Sequence, residues 1–147
     1  MLEGDGSEDE RATLWPFGAA LAVFGIVVLL AALFALTGGD ELTEEQRVGR
    51  AAVAQNDALQ RQDFTDYRRY TCARVQGSEA EVLAAQQESV SQYGARYVDD
   101  VTGVRIDGDR ATATVVYHFE NDADAKRSAE LTFARQDGQW TVCSAYR

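Results

Sequence analysis

Hydrophobic and polar positions follow three different patterns along this chain. From Leu14 to Leu36, "LWPFGAALAVFGIVVLLAALFAL", 23 residues carry no charge; as a helix they span about 34 Å, enough to cross a hydrocarbon core of ~30 Å with slight tilt. From Glu44 to Tyr93 apolar residues recur at helical spacing, and from Val101 onward they alternate with polar ones. The pattern predicts a membrane-spanning helix, then a helical half, then a β-sheet half.

In the helical half, "LTEEQ" offers Thr43 as N-cap with Gln46 three residues on, a capping box that opens a helix from about Glu44 to Gln62. Its apolar face is Val48, Ala51, Ala52, Ala58 and Leu59, narrow and built of small side chains. A short second helix is expected over Thr65 to Cys72. A third starts at Ser78, with Glu81 completing its capping box and Leu83, Gln87, Val90 and Tyr93 or Gly94 on its buried side. The sheet half reads as a meander with turns at 107–109, 121–124 and 136–139. Ala111, Ala113, Val115, Tyr117 and Phe119 share one face of its longest strand; Thr112, Thr114, Val116, His118 and Glu120 share the other. Ala129, Leu131 and Phe133, then Trp140 and Val142, continue the apolar face. The fold class is α+β: about three helices packed on a four-stranded antiparallel sheet.

The apolar run reads as an uncleaved anchor. A secretory signal begins with a basic segment, has a shorter core and ends in a small-x-small site; here "MLEGDGSEDER" is acidic, the core is long and "ALFALTGG" offers no such site. Pro16 suits the first turn, where its missing N–H costs nothing, and Trp15 suits the headgroup level. Arg11 lies close before the span whereas Arg47 and Arg50 lie well beyond it, which favours a cytoplasmic N-terminus. The expected organisation is an acidic cytoplasmic tail over 1–13, a transmembrane helix over 14–36, a linker over 37–43 and an extracytoplasmic domain over 44–147.

Charge narrows the partners. The net charge is −10, and no basic run interrupts it, which argues against nucleic acid and anionic headgroups. Only two cysteines occur, Cys72 and Cys143. Two thiols in an otherwise cysteine-free domain suit an exported disulfide; two unpaired buried thiols in a cytosolic domain are the alternative.

The order "AAVAQNDALQRQDFTDYRRYTC", a helix, "GVRIDGDRATATVVY" and "FARQDGQWTVCSAY" resembles the nuclear-transport-factor-2-like (cystatin-like cone) domains of small actinobacterial membrane-anchored proteins, including the mammalian-cell-entry-associated type. The resemblance covers Glu44 to Tyr146. It implies a long first helix lying in the concave side of a curved sheet, a cone with one end open to a ligand, and a Cys72–Cys143 disulfide tying the helical layer to the last strand. One tension accompanies that pairing: Cys143 has the parity opposite to Trp140 and Val142, so it faces away from the helices.

No residue pattern specifies a reaction. His118, the single histidine, falls on the polar sheet face and needs a cleft there to act as a base. One histidine and two cysteines do not make a tetrahedral metal site. Asp99 with Asp100, and Asp107 with Asp109, read as turn carboxylates. An enzyme of the ketosteroid isomerase type needs an aspartate at an inward strand position, and none falls there. The expectation is therefore a non-enzymatic protein without cofactor or metal: an extracytoplasmic interaction module, accessory to an envelope transport or secretion complex, docking a protein partner on Thr112, Thr114, Val116, His118 and Thr132. The alternative is a small apolar ligand or lipid in the cone, lined by Tyr117, Phe119, Phe133 and Trp140, residues that otherwise form the core.

Overall fold

Local chemistry sets the ends of the helices. The computed structural model describes residues 25–29, 32 and 41–146, and the chain divides into two compact units, Met1–Glu41 and Leu42–Arg147. In the second unit, helix α1 (Glu44–Gln60) opens with the expected capping box: the Thr43 hydroxyl accepts from Gln46 N–H while the Gln46 side chain accepts from Thr43 N–H. It ends two residues earlier than its pattern suggested, where Asp63 N–H reaches back to the Ala58 carbonyl and Asp63 itself caps α2 (Phe64–Arg69). A short 3-10 turn (Ala73–Val75) precedes α3 (Glu79–Tyr93), which has the second expected capping box, Ser78 with Glu81.

Two helical expectations are corrected. The second helix does not reach Cys72; it stops at Arg69 with Tyr70 as its C-cap, and Thr71 and Cys72 run beside the last strand. Nor does α3 bury the side its spacing marked. Val90 and Tyr93 are 40% and 43% exposed, Gln87 is exposed, Leu83 is only half buried, and Gln86 is the buried residue of this helix; of the expected side only Gly94, the C-cap, is buried. The side of α3 that carries Val82, Gln86 and Ser89 faces a recess shared with Leu59 and Tyr146 rather than the apolar core.

The sheet is an antiparallel meander of β1 (Arg96–Asp107), β2 (Arg110–Phe119), β3 (Asp122–Gln136) and β4 (Gln139–Val142), in that spatial order. Its alternation is as the side-chain parity requires: Ala111, Ala113, Val115, Tyr117 and Phe119 are buried while the residues between them are half exposed. Asp99 and Asp100 lie within β1 and not in a turn, at a register shift between Val98 and Asp100. This bulge, with others between Thr102 and Arg105 and between Tyr117 and Phe119, bends the strands. Val48, Ala51 and Ala52 of α1 pack into the resulting hollow against Val115, Leu131, Phe133 and Val142, all 5% exposed or less. Small side chains on α1 let it approach the sheet closely.

The expected membrane span over 14–36 lies largely outside the described residues. Of it, Gly25 to Leu29 and Ala32 are helical, and Ile26, Val27, Val28 and Leu29 are between 51% and 62% exposed. Among the described residues no helix is long and apolar enough to cross a membrane.

Candidate functional site

The extended segment after α2 accounts for the cysteine parity. Thr71 pairs in parallel with Val142: Cys72 N–H donates to the Val142 carbonyl at 2.8 Å, and Val142 N–H donates to the Tyr70 carbonyl at 2.8 Å. Cys143 N–H in turn donates to the Thr132 carbonyl at 2.7 Å, continuing the β4 ladder by one residue. Thr71 and Val142 point to the helical side, where the Gln55 amide donates to the Thr71 hydroxyl. Their successors Cys72 and Cys143 therefore share the opposite face, with Cα atoms 4.9 Å apart, and are joined by a disulfide. The bond fastens an added edge segment to the sheet, rather than tying the helical layer to it.

The outer sheet face carries the residues expected to dock a partner. Thr112, Thr114, Val116 and His118 are half buried and Thr132 is exposed, and no other element of this unit covers them. At one end the β1 bulge turns Asp99 toward His118. The His118 Nδ1 lies 2.9 Å from both Asp99 oxygens, Lys126 Nζ donates to Asp99 Oδ1 at 2.8 Å, and Tyr97 stacks on the imidazole with centroids 5.3 Å apart. The chain's single histidine and single lysine thus meet on one carboxylate, whose acidity is strengthened first by the Lys126 bond and then by that of His118. Sequence reading placed His118 on this face but missed Asp99, because its side-chain direction depends on the bulge. At the other end a groove of about 630 Å³ runs beside the disulfide, with Arg74, Arg105, Arg110 and Thr112 in its walls.

A carboxylate-held histidine can act as a base only toward a substrate held beside it. His118 lines neither the groove nor the other cavities described below. Among the described residues no group of three His, Cys, Asp or Glu side chains could hold a metal ion.

Tyr117, Phe119, Phe133 and Trp140, the candidate ligand-lining aromatics, are 2–8% exposed and belong to the core cluster. Trp140 borders a surface recess of about 450 Å³ with Leu42, Arg47 and Arg50, and Phe133 touches the outer groove; the four do not enclose a common space. A separate cavity of about 290 Å³ lies between α1, α3 and the C-terminal segment, lined by Gln55, Leu59, Val82, Gln86, Arg96 and Tyr146 among others. Its lining includes no aspartate or glutamate.

No protein-family model and no curated protein matches the chain. Solved structures give partial likenesses. One is an NTF2-like protein from Campylobacter jejuni provisionally described as a transpeptidase, with 21% identity, covering 64% of this chain and 94% of that one at a TM-score of 0.47. A protein of unknown function with a cystatin-like fold from Nostoc punctiforme shares 13% identity over 69% of this chain and 89% of its own, at 0.49. A provisional dehydratase of the NTF2-like family from Streptomyces avermitilis shares 17% identity over 71% and 97%, at 0.48. At these identities and TM-scores the likenesses assign the chain no family and no activity.

Proposed function

We infer that the chain is a single-pass membrane protein whose folded unit stands on the extracytoplasmic side and acts as an interaction module, an accessory or stabilising component of an envelope transport or secretion complex, of the actinobacterial mammalian-cell-entry-associated kind. The observation that carries this reading is the Cys72–Cys143 disulfide at the sheet edge, since such bonds persist in oxidising compartments. Helical Ile26 to Leu29, apolar side chains each more than half exposed, support an apolar anchor. The uncovered sheet face from Thr112 to His118, with the Tyr97–His118 stack at its end, is the docking surface for another envelope protein. A net charge of −10 disfavours nucleic acid or anionic lipid as partners of the chain as a whole.

A photo-crosslinking residue placed at Thr114 in living cells tests the reading, with the same residue at exposed Glu88 of α3 as control. A discrete adduct with one envelope protein from position 114 alone is expected. Equal adducts from both positions, or none from 114, would remove the docking surface.

A further inference from the structure

The groove beside the disulfide is basic in a chain that is otherwise acidic. It holds about 630 Å³, and three arginines, Arg74, Arg105 and Arg110, stand in its walls against one acid, Asp107, although the chain as a whole carries −10. All three arginines are exposed. Among the described residues none of them forms an ion pair, whereas Arg47, Arg61, Arg69, Lys126 and Arg135 each hold a carboxylate. Asp107 is the register partner of Arg110 across the β1–β2 turn, yet these two are not ion-paired either.

Each cation reaches the groove by its own route. Thr102 pairs with Thr114 and Arg105 with Thr112, so Gly103 and Val104 together span a single position of β2. Gly103 has φ 61°, a left-handed conformation that glycine adopts without strain. The extra residue lets Val104 pack on the core and sends Arg105 to the outer face; with unbroken alternation the two would trade sides. Arg110 shares the outer face with Thr112 by strand parity. Arg74 comes from the 3-10 turn that follows Cys72, and its Nη2 donates to the Cys143 carbonyl at 3.4 Å.

We propose that this groove receives an extended acidic segment of the envelope protein that docks on the outer sheet face; the proposal rests on that docking surface and names the chemistry of its partner. Thr112 belongs to both the groove and the docking face, so the segment would continue one interface. Thr112, Thr132 and Ala134 with the disulfide make an uncharged floor, on which a backbone can lie while its carboxylates reach the guanidinium forks in the walls. An exposed ion pair is weak and screened by salt. A small anion on one guanidinium therefore gains little, whereas a segment that meets all three gains from each. Nucleic acid, charged at every unit, is repelled by the acidic chain more strongly than a segment with a few carboxylates.

Fluorescence anisotropy with the full chain in zwitterionic lipid nanodiscs tests this, the probe being a labelled peptide of about six residues in which Glu and Thr alternate. The peptide is expected to bind below about 1 mM in about 50 mM salt, and about fivefold more weakly in about 500 mM. The same peptide with Gln for Glu should bind about tenfold more weakly. Arg105→Gln combined with Arg110→Gln, both at exposed positions, should weaken binding about tenfold with Tm unchanged, whereas Arg50→Gln on α1, exposed and outside the groove, should leave binding as it is. The proposal is overturned if the Glu peptide does not bind at about 1 mM, if the Gln peptide matches it, if the double variant binds as the parent does, or if a single-stranded oligonucleotide of equal charge binds more tightly. Self-association of the chain that the Glu peptide does not displace would make a second copy the occupant and overturn it too. The peptide assay needs no partner, so it succeeds or fails separately from the crosslink at Thr114. An adduct at Thr114 that forms unchanged in the double variant would keep the docking surface and overturn the acidic segment.

Discussion

Replacing Trp140 with alanine probes how the first helix is fastened to the sheet. Trp140 is 3% exposed, its Nε1 donates to Glu44 Oε2 at 2.9 Å, and the Arg135 guanidinium lies 4.8 Å above its ring while also binding Glu44. The first turn of α1 is thereby clamped to the β3–β4 hairpin. Truncating a buried tryptophan costs about 3–5 kcal/mol. The lower end applies here, because the recess beside Trp140, bounded by Arg47, Arg50 and Tyr70, admits water to the vacated space, and Glu44 keeps Arg135. A loss of about 3 kcal/mol corresponds to roughly 10–20 °C in Tm for a domain of this size. Trp140→Phe, which removes the N–H but keeps an aromatic ring, should cost about 1 kcal/mol. Thermal and urea unfolding of the full chain, followed by circular dichroism, measures both. An alanine variant melting within about 2 °C of the parent, or one no worse than the phenylalanine variant, refutes the clamp.

Three further outcomes are expected. Asp99 has its carboxyl held below the ordinary value of 3.8 by Lys126 and then His118, so it stabilises the fold above that value and the contribution disappears as pH falls through the lower folded one; urea midpoints measured down this acid range should fall less steeply for Asp99→Asn than for the parent. Gly94→Ala should cost about 2 kcal/mol or more in urea unfolding, because Gly94 has φ 79° and ψ −174°, and an added Cβ would meet Glu120 Cβ and Asn121 Oδ1 at 2.8 Å each; a loss under about 0.5 kcal/mol contradicts that backbone assignment. Ser78→Ala should destabilise α3 by about 1 kcal/mol, visible in hydrogen exchange as faster amides confined to α3, whereas protection lost across the whole sheet would mean that α3 is integral to the core.

What could be read from the sequence was local. Thr43 with Gln46 and Ser78 with Glu81 name two helix starts because a capping box is chemistry between residues three apart, and strand parity named the buried face from Ala111 to Phe119. The strand-like pairing at Thr71 and Cys72 was hidden because its hydrogen bonds go to Val142, some seventy residues away, against a local pattern that continues the helix. Spacing also misassigned α3: Leu83, Val90 and Tyr93 repeat as a buried stripe should, but the helix covers a recess beside the core and turns Gln86 inward. Separation along the chain likewise hid Arg96 from Tyr146 and Asp99 from His118. A lone arginine opening a strand carried no signal without the ring that stacks on it.

Nonreducing peptide mapping of the protein purified from its own membrane, with free thiols alkylated before lysis, tests the central claim most directly, since an oxidised pair ties the fold to an extracytoplasmic location. The account predicts a linked pair of peptides containing Cys72 and Cys143, 71 residues apart, with neither residue alkylated. Two freely alkylated thiols would contradict both the bond at the sheet edge and the placement of the domain outside the cell membrane.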